Sequence, residues 1–568
     1  MQGLSNGYYL FFLMVLVALW LAWFAVGRWP IAQFARVAGF FVVAALLIVP
    51  FLIGYKNILQ DTYGFHRGLE EIQRFSADIG ALLNASQDLL LWGWVRALPK
   101  PEGELFPGIT IVALALFVVF AARPLTTQGE SPRRRWIRRT LGVISLLLIV
   151  GALLPASYGP WRLTIGGVRL LSIARADKPL TLGLFAALAW IALLPRVSGA
   201  VSRRSPLAFY AFAAFAMWVF AWGPDPVFFD GRAIYQAPYG WLMRLPAFEG
   251  LRVPARFWMM ALVCLSVLAA LAVNRVNGPA RRGVVAAAAL GLLLDGWPAI
   301  FRVEAAPERR PAPPGVAFRL DLPMDLDQDA RALYQQTFEG VPLVNGFSGY
   351  FARHYYALGQ LVAAGEPRIL QALSARGPVG VVIDHAADES GAYRKFILAY
   401  PGAAVHQTHP DWSSYTVPAN GNGDLLPDVS GEPVRIKALT AFPSQPHTPR
   451  AIDGSLETRW SGGVQRSAAD FTIELEDAGR VSQLVTDLGE FVADYPVRLR
   501  LEVSPDGAQW ERVHLGDTAL HAYYAAVRHP KEVPVVYPIN RDNVRFLRMT
   551  QLGWGTRDWS IAEVRVLR

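Results

Sequence analysis

The chain has 568 residues, of which 53% are hydrophobic and 17% charged, and its formal net charge is +9. In soluble proteins about a quarter of the residues are charged. The composition therefore indicates a chain that lies partly in a membrane and partly in water. The one cysteine, Cys264, excludes an intrachain disulfide, and no nucleic-acid binding is expected, because many arginines lie in short loops between apolar runs and orient the chain there.

Apolar runs of roughly membrane-spanning length fill the first half of the chain. A span needs about 20 mostly apolar residues, although shorter runs are tolerated. The sequence therefore predicts a polytopic α-helical membrane domain of about eight helices over residues 1–302. The runs are roughly 8–26, 36–54, 106–122, 140–155, 180–195, 206–222, 256–274 and 284–302.

The loops between these runs alternate in charge, which predicts an orientation. Positive loops stay on the cytoplasmic side of a membrane. Segments 55–105, 156–179 and 223–255, and everything after about 303, are then expected outside. Basic residues lie after the first, third, fifth and seventh runs: Arg28; Arg133, Arg134, Arg135, Arg138 and Arg139; Arg203 and Arg204; Arg275, Arg281 and Arg282.

Four segments within residues 1–400 resemble, in order, the later half of large bacterial membrane proteins of the GT-C glycosyltransferase type. They are GLEEIQRFSADIGALL (68–83), LFPGITIVALALF (105–117), LPAFEGLRVPARFWMM (245–260) and PLVNGFSGYFARHYYAL (342–358). GT-C enzymes transfer a sugar from a lipid-phosphate donor at the outer membrane face, using an acidic loop after their first helix.

In this chain the loop after the first run is short and basic, so the acidic catalytic loop is absent. The resemblance therefore implies a multi-pass protein of the bacterial inner membrane with extracytoplasmic C-terminal domains. It also implies a membrane partner that carries the N-terminal catalytic half.

Charged residues in the predicted outer loops are candidates for holding a lipid phosphate. Arg252 and Arg256 lie where a loop re-enters the membrane, and such a pair could clamp a phosphate bidentately. The alternative is that both arginines reach toward lipid headgroups. Glu70 and Glu71 could bind a metal–diphosphate, or could belong to an amphipathic helix on the bilayer surface.

Two further acidic features have a structural alternative. Asp295 lies near the outer end of the last run, where an ionisable residue is a functional candidate, but Gly296 and Pro298 indicate the membrane interface. The segment DLDQD (325–329) could bind a metal, although acids at a helix start also favour the helix dipole.

Residues 303–430, opened by the proline-rich linker AAPERRPAPPG, read as a small extracytoplasmic α/β domain. Strand-like segments are VAFRLDLP, VGVVID (379–384) and SSYTVPA, and helices are expected around 329–337 and 351–376. Short apolar strands among helices are typical of this fold class.

Residues 431–568 contain short segments that alternate in polarity with period two, which predicts an all-β jelly-roll sandwich. The segments also resemble, in order, the discoidin (coagulation-factor type C) domain. They are AIDGSLETRWSGG (451–463), FTIELEDAGRVSQLVTDLG (471–489), YPVRLRLEVSPDGAQWERV (495–513), VRFLRMTQLG (544–553) and WSIAEVRV (559–566).

The discoidin resemblance implies a structural calcium ion, held by Asp453, Thr458 and Glu563. Carboxylates and carbonyls from separate segments suit calcium. The alternative is that Asp453 caps a tight turn. Trp460 and Trp510 are expected to pack in the core.

The same resemblance implies a ligand site on loops at one end of the barrel, where aromatic faces stack on sugars. The carbohydrate-binding candidates are Tyr523, Tyr524, Trp554 and Arg557, while Trp559 could belong to the core or to the site.

Together these features predict an integral membrane protein that takes part in extracytoplasmic glycan assembly, or in glycosyl transfer from a lipid-linked donor. Its expected partners are the lipid bilayer and a glycan or lipid-linked sugar. The alternatives are a non-enzymatic membrane-anchored glycan-binding protein, or a transporter or flippase of lipid-linked sugars.

Overall fold

A computed structural model describes residues 7–65, 69–121, 131–158, 161–165, 168–173, 177–228, 231–233, 237–245, 251–300, 303, 305–347, 349–421 and 425–568. These residues form two compact units. The first unit is Met1–Leu52 with His66–Val303, and the second is Ile53–Phe65 with Glu304–Arg568.

The first unit is predominantly helical. Its short strands pair as two antiparallel hairpins, β1–β2 (Trp161–Ile165, Val168–Ile173) and β3–β4 (Val227–Phe228, Gly231–Arg232). The helices are α1 (Gly7–Phe24), α2 (Ile31–Lys56, which continues into the second unit), α3 (Leu69–Arg74), α4 (Ile109–Phe120), α5 (Pro132–Tyr158), α6 (Asp177–Leu193), α7 (Pro195–Ser202), α8 (Pro206–Ala221), α9 (Tyr239–Leu242), α10 (Trp258–Val273) and α11 (Ala280–Asp295).

Each predicted apolar run coincides with one of these helices, so the prediction of helices is confirmed. Among the described residues, three helices are long and apolar enough to cross a membrane: Gly7–Phe24, Ile31–Thr62 and Pro254–Val273. The predicted runs 106–122 and 284–302 end on residues outside those described. A membrane domain of about eight crossings stays a prediction.

The middle part of the chain forms a four-stranded sheet of order β5-β6-β8-β7. β5 (Phe318–Leu322) is parallel to the fully buried β6 (Val379–Asp384), which pairs antiparallel with β8 (Trp412–Val417). These three strands confirm the prediction, whereas β7 (Ala404–Thr408), antiparallel to β8, was not predicted. The helices are α12 (Leu326–Glu339), α13 (Tyr355–Ala363), α14 (Pro367–Ser374) and α15 (Ala392–Leu398).

The helix predicted over 351–376 is divided in two. Gly365 has a φ of +64°, which ends α13, and Pro367 begins α14 at the position where proline needs no backbone N–H. The breaker residues therefore decided the local structure where apolar periodicity alone predicted one helix.

The acids of DLDQD serve the start of α12. The Asp325 carboxylate caps the helix, because it accepts from the backbone N–H groups of Asp327 and Gln328. Asp329 is buried, accepts from the Asn345 side-chain amide at 2.7 Å and from the Tyr355 hydroxyl, and burial raises its pKa to about 6. The acids therefore lie at a helix start, as the structural alternative to a metal site predicted.

The C-terminal strands form one seven-stranded sheet, of order β14-β13-β15-β12-β17-β9 with β10 also on β12, and a two-stranded sheet β11-β16. The elements are β9 (Pro433–Val434), β10 (Ile436–Phe442), β11 (Trp460–Val464), β12 (Ala469–Asp487), β13 (Arg498–Ser504), β14 (Glu511–Asp517), α16 (Ala519–Arg528), β15 (Pro534–Gln551), β16 (Asp558–Ile561) and β17 (Glu563–Leu567).

The long strands β12 and β15 pair along most of their length and link two faces of the sandwich. The first half of β12 also pairs with β10, and its second half pairs with β17. Alternate side chains of the first half point inward, as the period-two pattern predicted. The prediction of an all-β jelly-roll-like domain is therefore confirmed.

The core of this sandwich contains two tryptophans in edge-to-face contact, Trp460 and Trp559. The prediction for Trp460 is confirmed, and Trp559 belongs to the core. The prediction for Trp510 is wrong, because its half-buried ring lies under the Arg548 guanidinium, 4.1 Å from the ring centroid, on the turn after β13.

Candidate functional site

Several loops converge at one edge of the C-terminal sandwich. Gln551, the last residue of β15, is paired with Ala469 at the start of β12 and with Leu499 at the start of β13. The segments next to these three strand ends must therefore lie side by side. They are loop 552–557, loop 465–468 and segment 489–497.

A buried glutamine, Gln465, joins these segments through its side-chain amide. Its Nε2 donates to the carbonyls of Tyr495 at 3.0 Å and Asp558 at 3.2 Å. Its Oε1 accepts from the backbone N–H of Val497 at 2.8 Å and from the Gln551 amide at 3.1 Å. Only 2% of its surface is exposed, and both the NH2 group and the oxygen of its amide are hydrogen-bonded.

The backbone also holds loop 552–557 in place. The N–H of Gln465 donates to the Arg557 carbonyl, and the Gln465 carbonyl accepts from Gly555 at 2.8 Å. At the other end of the loop, the N–H of Leu552 donates to the Arg498 carbonyl at 2.8 Å. The loop is thus fixed by its own backbone on both sides of Trp554.

Two glycines allow this close approach. A Cβ added to Gly553 would lie 2.7 Å from the backbone nitrogen of Arg498 and 2.7 Å from the Cβ of Val497. A Cβ on Gly555 would lie 3.0 Å from a Val497 methyl group. The Gly-Trp-Gly sequence therefore packs its backbone against β13 while the indole projects from it.

Trp554 is the residue that this loop presents. Its side chain is 74% exposed, although tryptophan side chains are highly buried on average. Arg557 lies three residues further in the same loop, and its guanidinium is 5.4 Å from the ring centroid of Tyr356 on α13. The structure therefore places two of the four carbohydrate-binding candidates in one rigid loop.

The other two candidates do not lie in a loop. Tyr523 and Tyr524 belong to α16, with only 6% and 3% of their surface exposed. The Tyr524 hydroxyl accepts from the N–H of Leu425, and the Arg528 guanidinium covers its ring at 4.7 Å. The prediction of exposed sugar-stacking tyrosines is wrong, because the segment is a helix that turns both rings inward.

The predicted calcium ligands converge on the turn before β11. Asp453 accepts from the hydroxyl of Thr458 at 2.7 Å, and Glu563 accepts from the N–H of Gly454 at 2.7 Å. Both carboxylates also accept from the N–H of Ser455. Residues more than a hundred positions apart in sequence therefore meet around a single turn.

The electrostatics of this turn fit a hard cation. Burial and then the charge of Asp453 raise the pKa of Glu563, while the hydrogen bond from Thr458 lowers the pKa of Asp453. Two carboxyl groups and a hydroxyl therefore lie together at this turn, and oxygen atoms of this kind are the donors that calcium prefers. Asp453, Thr458 and Glu563 are the residues that could hold the ion.

The candidates for lipid-phosphate binding are paired with acids within the first unit. Arg252 lies 3.6 Å from Glu71, and Arg256 donates through two nitrogens to Glu102. Glu70 and Glu71 both lie in the first turn of α3. Sequence reasoning missed Glu102, since nothing near it in sequence indicated a partner.

Asp295 has a structural role. Its carboxylate accepts from the backbone N–H of Thr110 at 2.7 Å and from the Trp92 indole at 2.9 Å. It thereby satisfies an N–H group in the first turn of α4, which has no partner within the helix.

Comparisons with known proteins identify the C-terminal domain. Residues 435–564 match the family of the F5/8 type C domain. No curated protein matches the chain.

Among solved structures, the chain is similar to the CBM32 module of AlyQ in complex with 4,5-unsaturated mannuronic acid. The two are 23% identical over 24% of this chain and 98% of that one, with a TM-score of 0.20. It is also similar to a CBM32 module from Clostridium perfringens in complex with GalNAc-beta-1,3-galactose, at 19% identity over 23% and 94% of the chains and a TM-score of 0.19.

A third similar structure is truncated AlyQ with CBM32 and alginate lyase domains, at 23% identity and a TM-score of 0.20. The match covers 24% of this chain and about a third of that one, 34%. On the family match, the C-terminal part of this protein is an F5/8 type C domain. The rest of the chain is not assigned to a family by these comparisons.

The Gln465→Leu variant should lose stability and loosen the loop that carries Trp554. Leucine keeps the volume but leaves the N–H of Val497 and the Gln551 amide without their acceptor, at a cost of about 3 kcal/mol. The measurements are the melting temperature of the full chain and hydrogen exchange at the amides of Leu552 and Gly555.

The matched control is Gln483→Leu, which removes another buried amide of the same domain, bonded to Asp428 and Ser430. It should lower the melting temperature but leave exchange at Leu552 and Gly555 slow. Equal protection of the loop in both variants would contradict the role assigned to Gln465.

Proposed function

We propose that this protein is a membrane-anchored glycan-binding protein of the bacterial cell envelope, and that its F5/8 type C domain binds carbohydrate through Trp554 and Arg557. The observation that carries the proposal is an indole exposed at 74% on a loop fixed by hydrogen bonds on both sides. A flat apolar ring held in one position can stack on a sugar ring with little ordering cost.

The membrane anchor is supported by the surface of α2. Large apolar side chains on it are uncovered, with Phe40 at 71%, Leu46 at 68% and Phe51 at 66% exposure. Along Ile31–Thr62, none of the most apolar stretch is buried. A helix of that length with apolar residues on all sides is suited to lipid rather than to water.

The first unit would then hold the glycan-binding domain at the outer face of the inner membrane, where the protein takes part in glycan assembly from lipid-linked sugars. This role rests on the resemblance of four segments to GT-C proteins. Arg252 and Arg256, which could hold a donor phosphate, are instead paired with Glu71 and Glu102. The geometry therefore favours glycan binding over sugar transfer by this chain.

We also propose that Asp453, Thr458 and Glu563 hold a structural calcium ion. The ion would neutralise the two facing carboxylates and tie the turn before β11 to the start of β17. Its contribution would be to stability and not to sugar contact, because the ligands lie on a different turn from Trp554.

The Trp554→Ala variant should lose at least about tenfold in affinity for bound oligosaccharides, because the stacking surface is removed. The assay is a glycan array followed by titration calorimetry on the purified full chain in detergent. Trp510→Ala removes a tryptophan from another turn of the same domain and should bind as the unmodified chain does. Unchanged binding by Trp554→Ala would refute the assignment of the site.

Calcium should raise the melting temperature of the full chain, and chelation with EDTA should lower it. A ligand present at a hundredfold excess over its Kd stabilises the folded state by about 2.7 kcal/mol. Asp453→Asn should abolish the response. The control Asp506→Asn alters a comparable aspartate turn after β13 and should keep the response to calcium. A melting temperature of the unmodified chain that does not depend on calcium would refute the site.

The orientation can be tested by cysteine labelling in intact cells, in a Cys264→Ala background. Ala508→Cys lies in an exposed turn of the C-terminal domain and should react with a membrane-impermeant maleimide. Asn277→Cys lies in the loop between α10 and α11, predicted to face the cytoplasm, and should react only after lysis. The reverse pattern would contradict the proposed orientation.

A further inference from the structure

Two exposed arginines flank Trp554. Arg557 lies in the same loop, and Arg466 directly follows Gln465, whose carbonyl accepts from Gly555 of that loop. Within the part of the chain that the structure describes, neither guanidinium forms an ion pair with an acid. The Trp554 loop and the segment beside it therefore each carry an exposed guanidinium outside any ion pair, and the buried Asp494 offsets part of the charge of Arg557.

The acids of the surrounding segments already have partners. Asp494 is buried and accepts from the Ser560 hydroxyl at 2.8 Å, with Arg459 as its charged partner. Asp558 accepts from the Ser461 hydroxyl at 3.0 Å and lies 3.6 Å from the same Arg459. Arg459 thus serves both acids.

A third arginine at this edge, Arg498, is also exposed. Arg498 lies directly opposite Asp517 in the ladder between β13 and β14, so an acidic residue is its neighbour on the sheet. The local excess of positive charge therefore rests on Arg466 and Arg557.

A guanidinium is a planar fork of N–H donors that matches a carboxylate in two parallel hydrogen bonds. The Arg557 guanidinium lies over the Tyr356 ring, and this contact limits the positions that the guanidinium can adopt. A sugar stacked on Trp554 would bring the substituents of its ring, or of the next ring along the chain, within reach of one of the two arginines.

We propose that the Trp554 site selects glycans that carry carboxylates, such as polymers of uronic acids, over neutral glycans. This inference rests on the proposed glycan-binding function and adds the substrate class. The indole supplies stacking that any sugar ring can use and that salt does not screen. The two arginines supply the discrimination, which salt weakens because both are exposed.

The test compares matched ligands on the purified full chain in detergent. The probes are oligogalacturonate and oligomannuronate, each beside its fully methyl-esterified form, which keeps the sugar ring and removes the charge. The acidic forms should bind about tenfold more tightly than the esters at low ionic strength, and the difference should shrink at high salt.

Variants separate the two contributions. Arg557→Gln and Arg466→Gln should each weaken binding of the acidic oligosaccharides severalfold and binding of the esters less, so that the preference for the acidic form shrinks. Arg512→Gln, an exposed arginine on β14, is the matched control and should change neither. Trp554→Ala should weaken binding of both forms, which tests the stacking role independently.

Each other outcome overturns the inference in a different way. Equal binding of acids and esters, both lost in Trp554→Ala, would overturn the charge selection and leave glycan binding intact. Binding of neutral array glycans alone would do the same. Absence of binding to acids, esters and every neutral glycan would overturn both the inference and the proposed function.

Discussion

The candidate site depends on one buried amide. Gln465 accepts from the N–H of Val497 and donates to the carbonyls of Tyr495 and Asp558, so it joins three segments that are distant in sequence. An unpaired amide in this position would cost more than the bonds contribute, which makes the arrangement all-or-none. Backbone hydrogen bonds of Leu552, Gly555 and Arg557 hold the loop next to this glutamine, and the loop leaves the Trp554 indole exposed.

The F5/8 type C domain is also tied to the α/β part of the second unit. The hydroxyl of Tyr495, next to the Gln465 contact, donates to the side chain of Gln360 on α13 at 2.6 Å. The guanidinium of Arg353 binds the carbonyl of Gly64 at 2.9 Å. Tyr495 therefore takes part both in the contacts of Gln465 and in the contact with α13.

Sequence patterns predicted the elements well and the contacts between them unevenly. Period-two alternation predicted β12, and apolar runs predicted the helices, because both signals are local. Trp554 was predicted from a loop-like sequence around it. The prediction for Tyr523 and Tyr524 is wrong because α16 is a short helix, and its sequence resembles a loop. The hydrogen bonds by which Gln465 joins three segments could not be predicted, because its partners come together only in the folded sheet.

A structure of the full chain with its tightest-binding oligosaccharide would show directly whether Trp554 is the sugar contact. We expect a sugar ring stacked on the Trp554 indole, with the hydrogen bonds of Gln465 to Val497 and Asp558 unchanged. A sugar bound elsewhere on the domain, or a loop 552–557 that must rearrange to receive it, would contradict a preformed site.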